Sequence, residues 1–515
     1  MHAQLNPFEK KPTLWLVERA TPQAVLVLVF VFSFALRLHS LGTVRVPSER
    51  QYRSAIIARG FYYQIQDSVP EWKKQVVNAS RKQADLLEPP LQEMLAAGIY
   101  FLVNQENLWI PRFLASLFWM VGGIFLYRIA RRLMSDLAAV LVTAYYLFLP
   151  IGVLTSISFQ PDALMMAAFL ASLLAMLRYM EKPSRGRLLA AASAASLAIL
   201  VRPLCLFTIT GAFLGLALYQ RLAENRLRKV AAVIFFSLCF LPTLLYYSYT
   251  IATGRFIAAQ AEASFLPHLL FDRRYWLGWL ETATRTAGTA IIVGGLIGLS
   301  TIRKGRYLTF LGGMWVGYVV FCLTFTYHIR FSAHYHLQFA VIAALSFGPL
   351  IDRLPKQLPP GARRWFSQML IGAACLFIML ITYRQIRQVL GAIAQVEPEA
   401  TAREIGEIVE HSTETLYLAP GYGMNLEYYG ELSGVYWPRS ETHWALQDTG
   451  NEGPIRERSL QERFDAIDFA PEYFIITDFM EYNQYHPDLR AYLSQNFPIK
   501  AQSEEYLIYQ MSEGQ

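Results

Sequence analysis

The stretch AVLVLVFVFSFALRLHSL, residues 24–41, is followed closely by PSERQY, residues 47–52. The first segment is apolar over roughly the twenty residues that a helix needs to cross a hydrocarbon core. It is too long for the core of a signal peptide and has no cleavage site, so it reads as a retained membrane span. The second segment sets a carboxylate, Glu49, beside an arginine where the chain leaves the bilayer.

Composition agrees. Of 515 residues, 54% are hydrophobic and only 17% charged, where a soluble chain would carry about a quarter charged. Mean hydropathy is +0.28. The net charge of +7 hides a division: residues 389–515 hold 7 Lys/Arg against 22 Asp/Glu, a net −15, and the remainder holds 39 against 17, a net +22. The basic residues cluster at span ends, which points to topology and excludes nucleic acid as the partner. Cys205, Cys239, Cys322 and Cys375 lie inside apolar runs and read as small core residues, with no disulfide framework or thiolate metal site.

The apolar runs predict about eleven spans, near 24–41, 108–130, 134–150, 162–180, 188–201, 203–219, 230–250, 286–302, 307–326, 335–351 and 365–384. The fifth and sixth come from one long run broken at Arg202-Pro203. Proline removes a helix hydrogen bond, and arginine is unfavourable in lipid, so leucine at 202 would suit a plain span better. Basic clusters such as Arg128/Arg131/Arg132 and Arg303/Lys304/Arg306 fall on one side, and the segment Ile151 to Pro161 on the other has no Lys or Arg. This places the N-terminus in the cytoplasm and the C-terminus outside, in a multi-pass protein of the cell (inner) membrane.

The expected fold is a multi-span α-helical membrane domain, residues 1–388, with a first outer loop at 42–107 and an extracytoplasmic α/β domain at 389–515. In the loop, Tyr52, Ile56, Arg59 and Tyr63 share one helix face, and Leu91 to Val103 forms a second helix. Both are expected to lie along the interface. In the tail, Thr415 to Ala419, Tyr473 to Thr477 and Tyr506 to Tyr509 read as buried strands, and Ala402 to His411 and Asp488 to Asn496 as helices.

Several residues could carry chemistry. Glu49 could act as a general base for an acceptor hydroxyl or amine; as the opening residue of a helix it could equally be a cap. Asp162, after Pro161, is either a helix-capping residue or a second carboxylate facing the same cavity. Arg37, Arg202 and Arg330 stand at outer span ends, where they could anchor helices by snorkelling or neutralise a phosphate. His328, His334 and His336 have no convincing metal spacing. No Gly-rich phosphate loop, Walker motif or dinucleotide fingerprint is present; Gly421 and Gly423 follow a strand without the third glycine.

Taken in order, these elements resemble the C-type, polyprenol-dependent glycosyltransferases, in the superfamily of the protein O-mannosyltransferases and the lipid A aminoarabinose transferases. The resemblance is carried by Arg37, Pro47-Ser48-Glu49-Arg50-Gln51-Tyr52, Glu88-Pro89-Pro90-Leu91, Ile110-Pro111-Arg112-Phe113, Gln160-Pro161-Asp162-Ala163, Arg202-Pro203 and His334-Tyr335-His336-Leu337-Gln338, over about residues 1–390. It implies a catalytic acid in the first outer loop, usually Asp, which falls here on Glu49. It implies Lys or His before Pro-Pro, where this chain has Glu88, with Arg81 or Lys82 as substitutes. It implies a basic residue near the lipid phosphate at Arg202, and an extracytoplasmic C-terminal domain.

The resemblance therefore implies inverting transfer of a sugar from a polyprenyl-phosphate donor to an extracytoplasmic acceptor, whether glycan, lipid or protein. Glu49 and Asp162 would be catalytic. Arg37, Arg202, Arg330, Arg81 and Lys82 would surround the donor phosphate, and Arg50, Tyr52, Arg59, His334, Tyr335 and His336 would line the donor or acceptor pocket. No cofactor is required; a Mg2+ or Mn2+ near Glu49 and Asp162 is the alternative. Two other classes share the spans. A transporter or flippase of lipid-linked glycans needs neither an outer base nor a large first loop, and would carry charges deep in its spans. A non-catalytic scaffold would use the acidic tail to hold a partner.

Overall fold

Pairs of glycines hold two helices of the membrane domain together at a close crossing. Gly211 and Gly215 lie on α10 (Leu206–Ala223), and Gly313 and Gly317 on α14 (Gly305–Thr324). A β-carbon on Gly211 would collide with the carbonyl of Gly313, and one on Gly313 with the carbonyl of Gly211. Small residues four apart let two helix backbones approach closely, which matters in lipid, where no hydrophobic force drives helices together.

The computed structural model describes residues 12–43, 49–83, 88–223, 229–253, 264–303, 305–353, 399–440 and 459–512, with scattered positions from 359 to 386. Among these, seven helices are long and apolar enough to cross a membrane, or nine with two bent pairs. The seven include α1 (Pro12–Thr43), α5 (Trp109–Leu133), α8 (Asp162–Glu181), α11 (Lys229–Ala252), α10 and α14. The seventh, Ala333–Ile351, contains α15 (Leu337–Ile351).

Of the eleven expected runs, seven are these helices and two are the bent pairs. The run at 134–150 becomes α6 (Asp136–Leu147) and α7 (Pro150–Ser156), bent by 56° where Pro150 cannot continue the ladder. The run at 286–302 becomes α13 (Thr289–Ser300), bent by 91° from α12 (Arg273–Ala287) at Gly288, whose φ of 82° favours glycine. The helix α9 (Arg185–Val201) has 17 residues, at the short end of what crosses a bilayer. The eleventh run, 365–384, lies partly outside the described residues; Gly372–Ile386 is a short apolar helix.

Arg37 is the largest polar group sealed inside α1. Its guanidinium donates to Ser156 Oγ (2.8 Å), Ser33 Oγ (2.6 Å) and the carbonyls of Ser33 (3.1 Å) and Leu147 (2.9 Å). It cross-links α1 to the α6–α7 break, where the bend frees the Leu147 carbonyl. Cys205, Cys239 and Cys322 are buried free thiols, and Cys375 lies outside the described residues.

Before α5 the chain forms α2 (Glu49–Ile65), α3 (Glu71–Gln83) and α4 (Leu91–Val103). Most residues of α2 are buried in the protein, Tyr52, Gln51 and Ala58 among them. Its core of Tyr52, Ile56, Tyr62 and Tyr63 packs with Ala96, Ala97 and Tyr100 of α4 and with Tyr428 of the tail.

The tail is a five-stranded sheet in the order β2-β1-β3-β5-β4. Its strands are β1 (Thr415–Leu418), β2 (Gly434–Tyr436), β3 (Tyr473–Ile476), β4 (Ile499–Gln502) and β5 (Leu507–Gln510). β1 is parallel to both β2 and β3, and β5 is antiparallel to β3 and β4. On β1, Tyr417 faces one core and Leu416 and Leu418 the other, so both faces are covered. One face carries α16 (Glu399–Ile408) and α17 (Met424–Gly430), and the other α20 (Pro487–Asn496); α18 (Leu460–Phe464) and α19 (Phe479–Gln484) complete the domain. The boundary expected at 388/389 lies outside the described residues.

The α10–α14 crossing gives a contrast between neighbouring glycines. Gly313→Val should lower the thermal midpoint in detergent sharply, because the new side chain meets backbone. Gly312→Val should leave it nearly unchanged, since nothing lies within 4 Å of a β-carbon there. Equal effects of the two would remove the close crossing from the account.

Candidate active site

Three helix starts and one helix break meet at one end of the bundle, and proline marks three of these four places. Pro89-Pro90 precedes α4, Pro161 precedes α8, and Pro203 follows the extended residue Arg202 at the end of α9. The fourth place is the first turn of α2. These starts bring together Arg50, Glu88, Arg202 and Asp162, far apart in sequence.

The four side chains form a line of alternating charge. Arg50 pairs with Glu88, Glu88 Oε1 lies 3.5 Å from Arg202 Nε, and Arg202 NH1 pairs with Asp162. Exposure falls along the line, from 23% at Arg50 to 12% at Glu88, 11% at Arg202 and 1% at Asp162. Burial pushes the Glu88 carboxyl up, but the charges of Arg50 and Arg202 outweigh it and hold its pKa below the ordinary value. Glu88 is therefore ionised, and both arginines already hold an anion.

Beside the line stand aromatic rings. His328 stacks on Tyr335 at 5.6 Å, and His334 lies 4.7 Å from Tyr335. Burial, and then the charge of Arg202, lower the pKa of His328, so it is neutral near pH 7. The first turn of α2 is fixed by Gln51, whose Oε1 accepts from Arg112 Nε (2.9 Å) and from the backbone N–H of Phe159 (3.2 Å).

Glu49 opens α2 and is exposed. It faces the tail: a β-carbon on Gly421 would lie 3.1 Å from Glu49 Cγ. Glu49 and Arg50 thus share one helical turn. The helix N-terminus adds its partial positive charge there, and the tail closes over one side.

Other expected site residues lie apart from this line. Arg37 is committed inside the bundle, as described above. Arg330 packs over the rings of Tyr327 and Phe331, with its β-carbon against Gly278 of α12. Arg81 lies over the Phe61 ring at 4.5 Å; the side chain of Lys82 is outside the described residues. His336 is buried, with Nδ1 2.7 Å from Tyr318 Oη and Nε2 2.9 Å from the Ile329 carbonyl, so both ring nitrogens serve the fold. Tyr52 and Arg59 belong to the joint with the tail. Tyr52 packs against Tyr428 and Tyr429 at 5.7 and 5.6 Å. Arg59 pairs with Glu106 (2.9 Å), donates to the Tyr428 carbonyl (2.7 Å) and lies 4.0 Å over the Tyr428 ring.

The joint continues through Lys73–Glu431 (2.6 Å) and the stacked pair Trp72 and His411 (4.2 Å). Behind it Glu427 of α17 accepts from Tyr417 and Ser80; burial pushes its pKa up to about 7. No local pattern marks Glu106, Glu431 or Gly421 for these roles. Gln51 and Arg112 lay within the quoted motifs, but their pairing needs the fold.

Comparison with known proteins agrees with this architecture. A family model described as dolichyl-phosphate-mannose-protein mannosyltransferase matches residues 87–246, a segment that holds Glu88, Asp162 and Arg202. The apo crystal structure of ArnT from Cupriavidus metallidurans aligns with a TM-score of 0.53 at 15% identity, over 96% of this chain and 98% of that one. The apo oligosaccharyltransferase of Archaeoglobus fulgidus aligns at 0.52 and 12%, over 88% and 69%. The chain has the C-type glycosyltransferase fold. AglB from A. fulgidus, in complex with an inhibitory peptide and a dolichol-phosphate, aligns at 0.52 and 12%, over 91% and 70%. No curated protein matches the chain in sequence.

One structure of the A. fulgidus enzyme with this C-type fold is a complex with Zn and sulfate. In the present chain, no three His, Cys, Asp or Glu side chains gather as a metal site would need, among the described residues. Asp162 is ion-paired with Arg202, and a cation there would have to displace a guanidinium. Of the two carboxylates expected to flank a Mg2+ or Mn2+, Glu49 and Asp162, the second is thus already held by a cation.

The ion pair also reverses the expectation that leucine would be welcome at position 202. Arg202→Leu strands the buried Asp162 carboxylate and should destabilise the protein by about 3–5 kcal/mol, the range for removing one partner of a buried pair. Adding Asp162→Asn should recover a large part of that loss. Thermal unfolding of the two variants in detergent measures the difference; identical midpoints would mean that the pair does not hold this end of the bundle.

Proposed function

We propose that this protein transfers a sugar from a polyprenyl-phosphate donor to an acceptor on the extracytoplasmic face of the membrane, with inversion at the sugar. The observation that carries the reading is the placement of Glu49 one residue from Arg50, at the mouth of the Arg50–Glu88–Arg202–Asp162 line. The C-type fold and the mannosyltransferase family match support the lipid-linked donor.

In this reading the isoprenoid chain stays in the bilayer and the phosphate takes the guanidinium groups of Arg50 and Arg202, displacing Glu88. Guanidinium suits phosphate because its planar fork donates two parallel hydrogen bonds. Asp162 keeps Arg202 oriented. Glu49 removes the proton from the acceptor hydroxyl or amine as that atom bonds to the anomeric carbon. The bond from the anomeric carbon to the phosphate oxygen breaks, and the electron pair leaves with polyprenyl phosphate. The two arginines stabilise that developing charge without reorganising. His334, Tyr335 and the neutral His328 flank the donor.

The orientation follows from the loop charges: the N-terminus is cytoplasmic, and the first loop and residues 389–515 are extracytoplasmic, in the inner membrane.

Purified protein incubated with a panel of polyprenyl-phosphate sugars should release polyprenyl phosphate from one of them. Glu49→Gln keeps shape and hydrogen bonding but removes the base, and should slow release by roughly a hundredfold or more while the protein unfolds at the parent's temperature. Turnover near the parent's would take the role of base away from Glu49.

A further inference from the structure

The parallel strands β1, β2 and β3 end on one edge of the tail sheet, and in open α/β sheets that edge forms the ligand crevice. Here β1 runs into the turn Pro420–Gly423, which meets Glu49. Three successive residues of the turn are left-handed: Gly421 at φ 59°, Tyr422 at 53° and Gly423 at 66°. Glycine adopts that conformation freely. Tyrosine does not, and a bulky residue held there is a strained outlier of the kind that gathers at functional sites.

The strain leaves Tyr422 in an unusual place. The side chain is 50% exposed, although the sheet behind it is closed on both faces. Its ring lies 5.0 Å from that of Tyr436, the last residue of β2, at an angle of 59°. The preceding residue, Gly421, is in contact distance of Glu49. The turn that carries Tyr422 therefore meets the helical turn that carries Glu49, and the aromatic pair is contributed by the tail.

We infer that Tyr422, supported by Tyr436, is the acceptor platform, and that the acceptor it takes is a saccharide. This rests on the reading of Glu49 as the base. A pyranose has a face of polarised C–H groups that packs on the electron-rich face of a phenol ring, and its hydroxyls suit the phenolic O–H at the ring's edge. Packed there, a sugar hydroxyl comes to the Glu49 side of the turn, where its proton is removed. A peptide acceptor would call for another surface. Extended peptides add to the outer edge of a sheet through a row of backbone groups, and the turn offers ring faces at strand ends instead. Gly423 is required below the platform, because a β-carbon there would collide with the Tyr417 ring.

The test uses the full-length protein in a detergent without a sugar headgroup, and saturation-transfer NMR with the methyl pyranosides of glucose, mannose and galactose. The parent should transfer saturation to the ring C–H protons of at least one of them. Tyr422→Phe should retain the signal. Tyr422→Gly relieves the backbone strain, so its thermal midpoint should equal or exceed the parent's, yet its signal should fall several-fold. A structural residue would show the reverse, lost stability with binding intact. Undiminished transfer in Tyr422→Gly overturns the inference, as does a parent that takes no pyranoside or takes only a Ser/Thr peptide. Failure of the glycosyltransferase reading shows separately, as no release of polyprenyl phosphate by the parent from any donor, and leaves the pyranoside signals to decide the platform.

Discussion

The buried pair of Arg202 and Asp162 governs one end of the membrane domain. A guanidinium at this depth is unfavourable without a partner, and a carboxylate that is 1% exposed is more so. Each makes the other tolerable, and together they require the break between α9 and α10 and the start of α8 to lie side by side. Pro203 and Pro161 hold both breaks open, since neither can continue a helix through them. Glu88 and Arg50 extend the pair outward into water, so the charge at the surface is anchored in charge within the bundle.

That extension explains why the first loop and the tail have the forms they do. The first turn of α2 must carry Arg50 to Glu88, and Gln51 locks it there against α5. The rest of α2 is then free to serve as a core for α4 on one side and the tail on the other. Arg59, Tyr52 and Lys73 spend their binding capacity on α17 and its neighbours. The result is a small α/β domain whose strand ends face the same carboxylate as the membrane domain.

Much of this was legible in the chain. Run length and charge asymmetry gave the helical membrane domain, because crossing lipid demands twenty apolar residues and leaves no other solution. The strands β1, β3 and β5 were legible as short apolar runs; β2 and β4 were not, being three and four residues long and partly exposed. Hydropathy does not see a bend: the runs at 134–150 and 286–302 were legible as apolar, and the turns at Pro150 and Gly288 were not. The site was legible by residue type and not by partner. Arg37 and Arg202 look alike as arginines at span ends, yet one is consumed by Ser33, Ser156 and Leu147 and the other by two carboxylates. Glu88 read as an anomaly before Pro-Pro; in the fold it is the anion that holds both cations in place. Contacts such as Glu49 with Gly421 span 372 positions, and no local pattern encodes them.

The central claim is that Arg50 and Arg202 form the anion site from which the lipid phosphate departs. An electron cryomicroscopy structure of the protein with polyprenyl phosphate tests it most directly. The account predicts phosphate density within hydrogen-bonding distance of both guanidinium groups, Glu88 turned away, and Asp162 still paired with Arg202. Phosphate held instead by Arg330 or Arg81, with the Arg50–Glu88–Arg202 line intact, would contradict it.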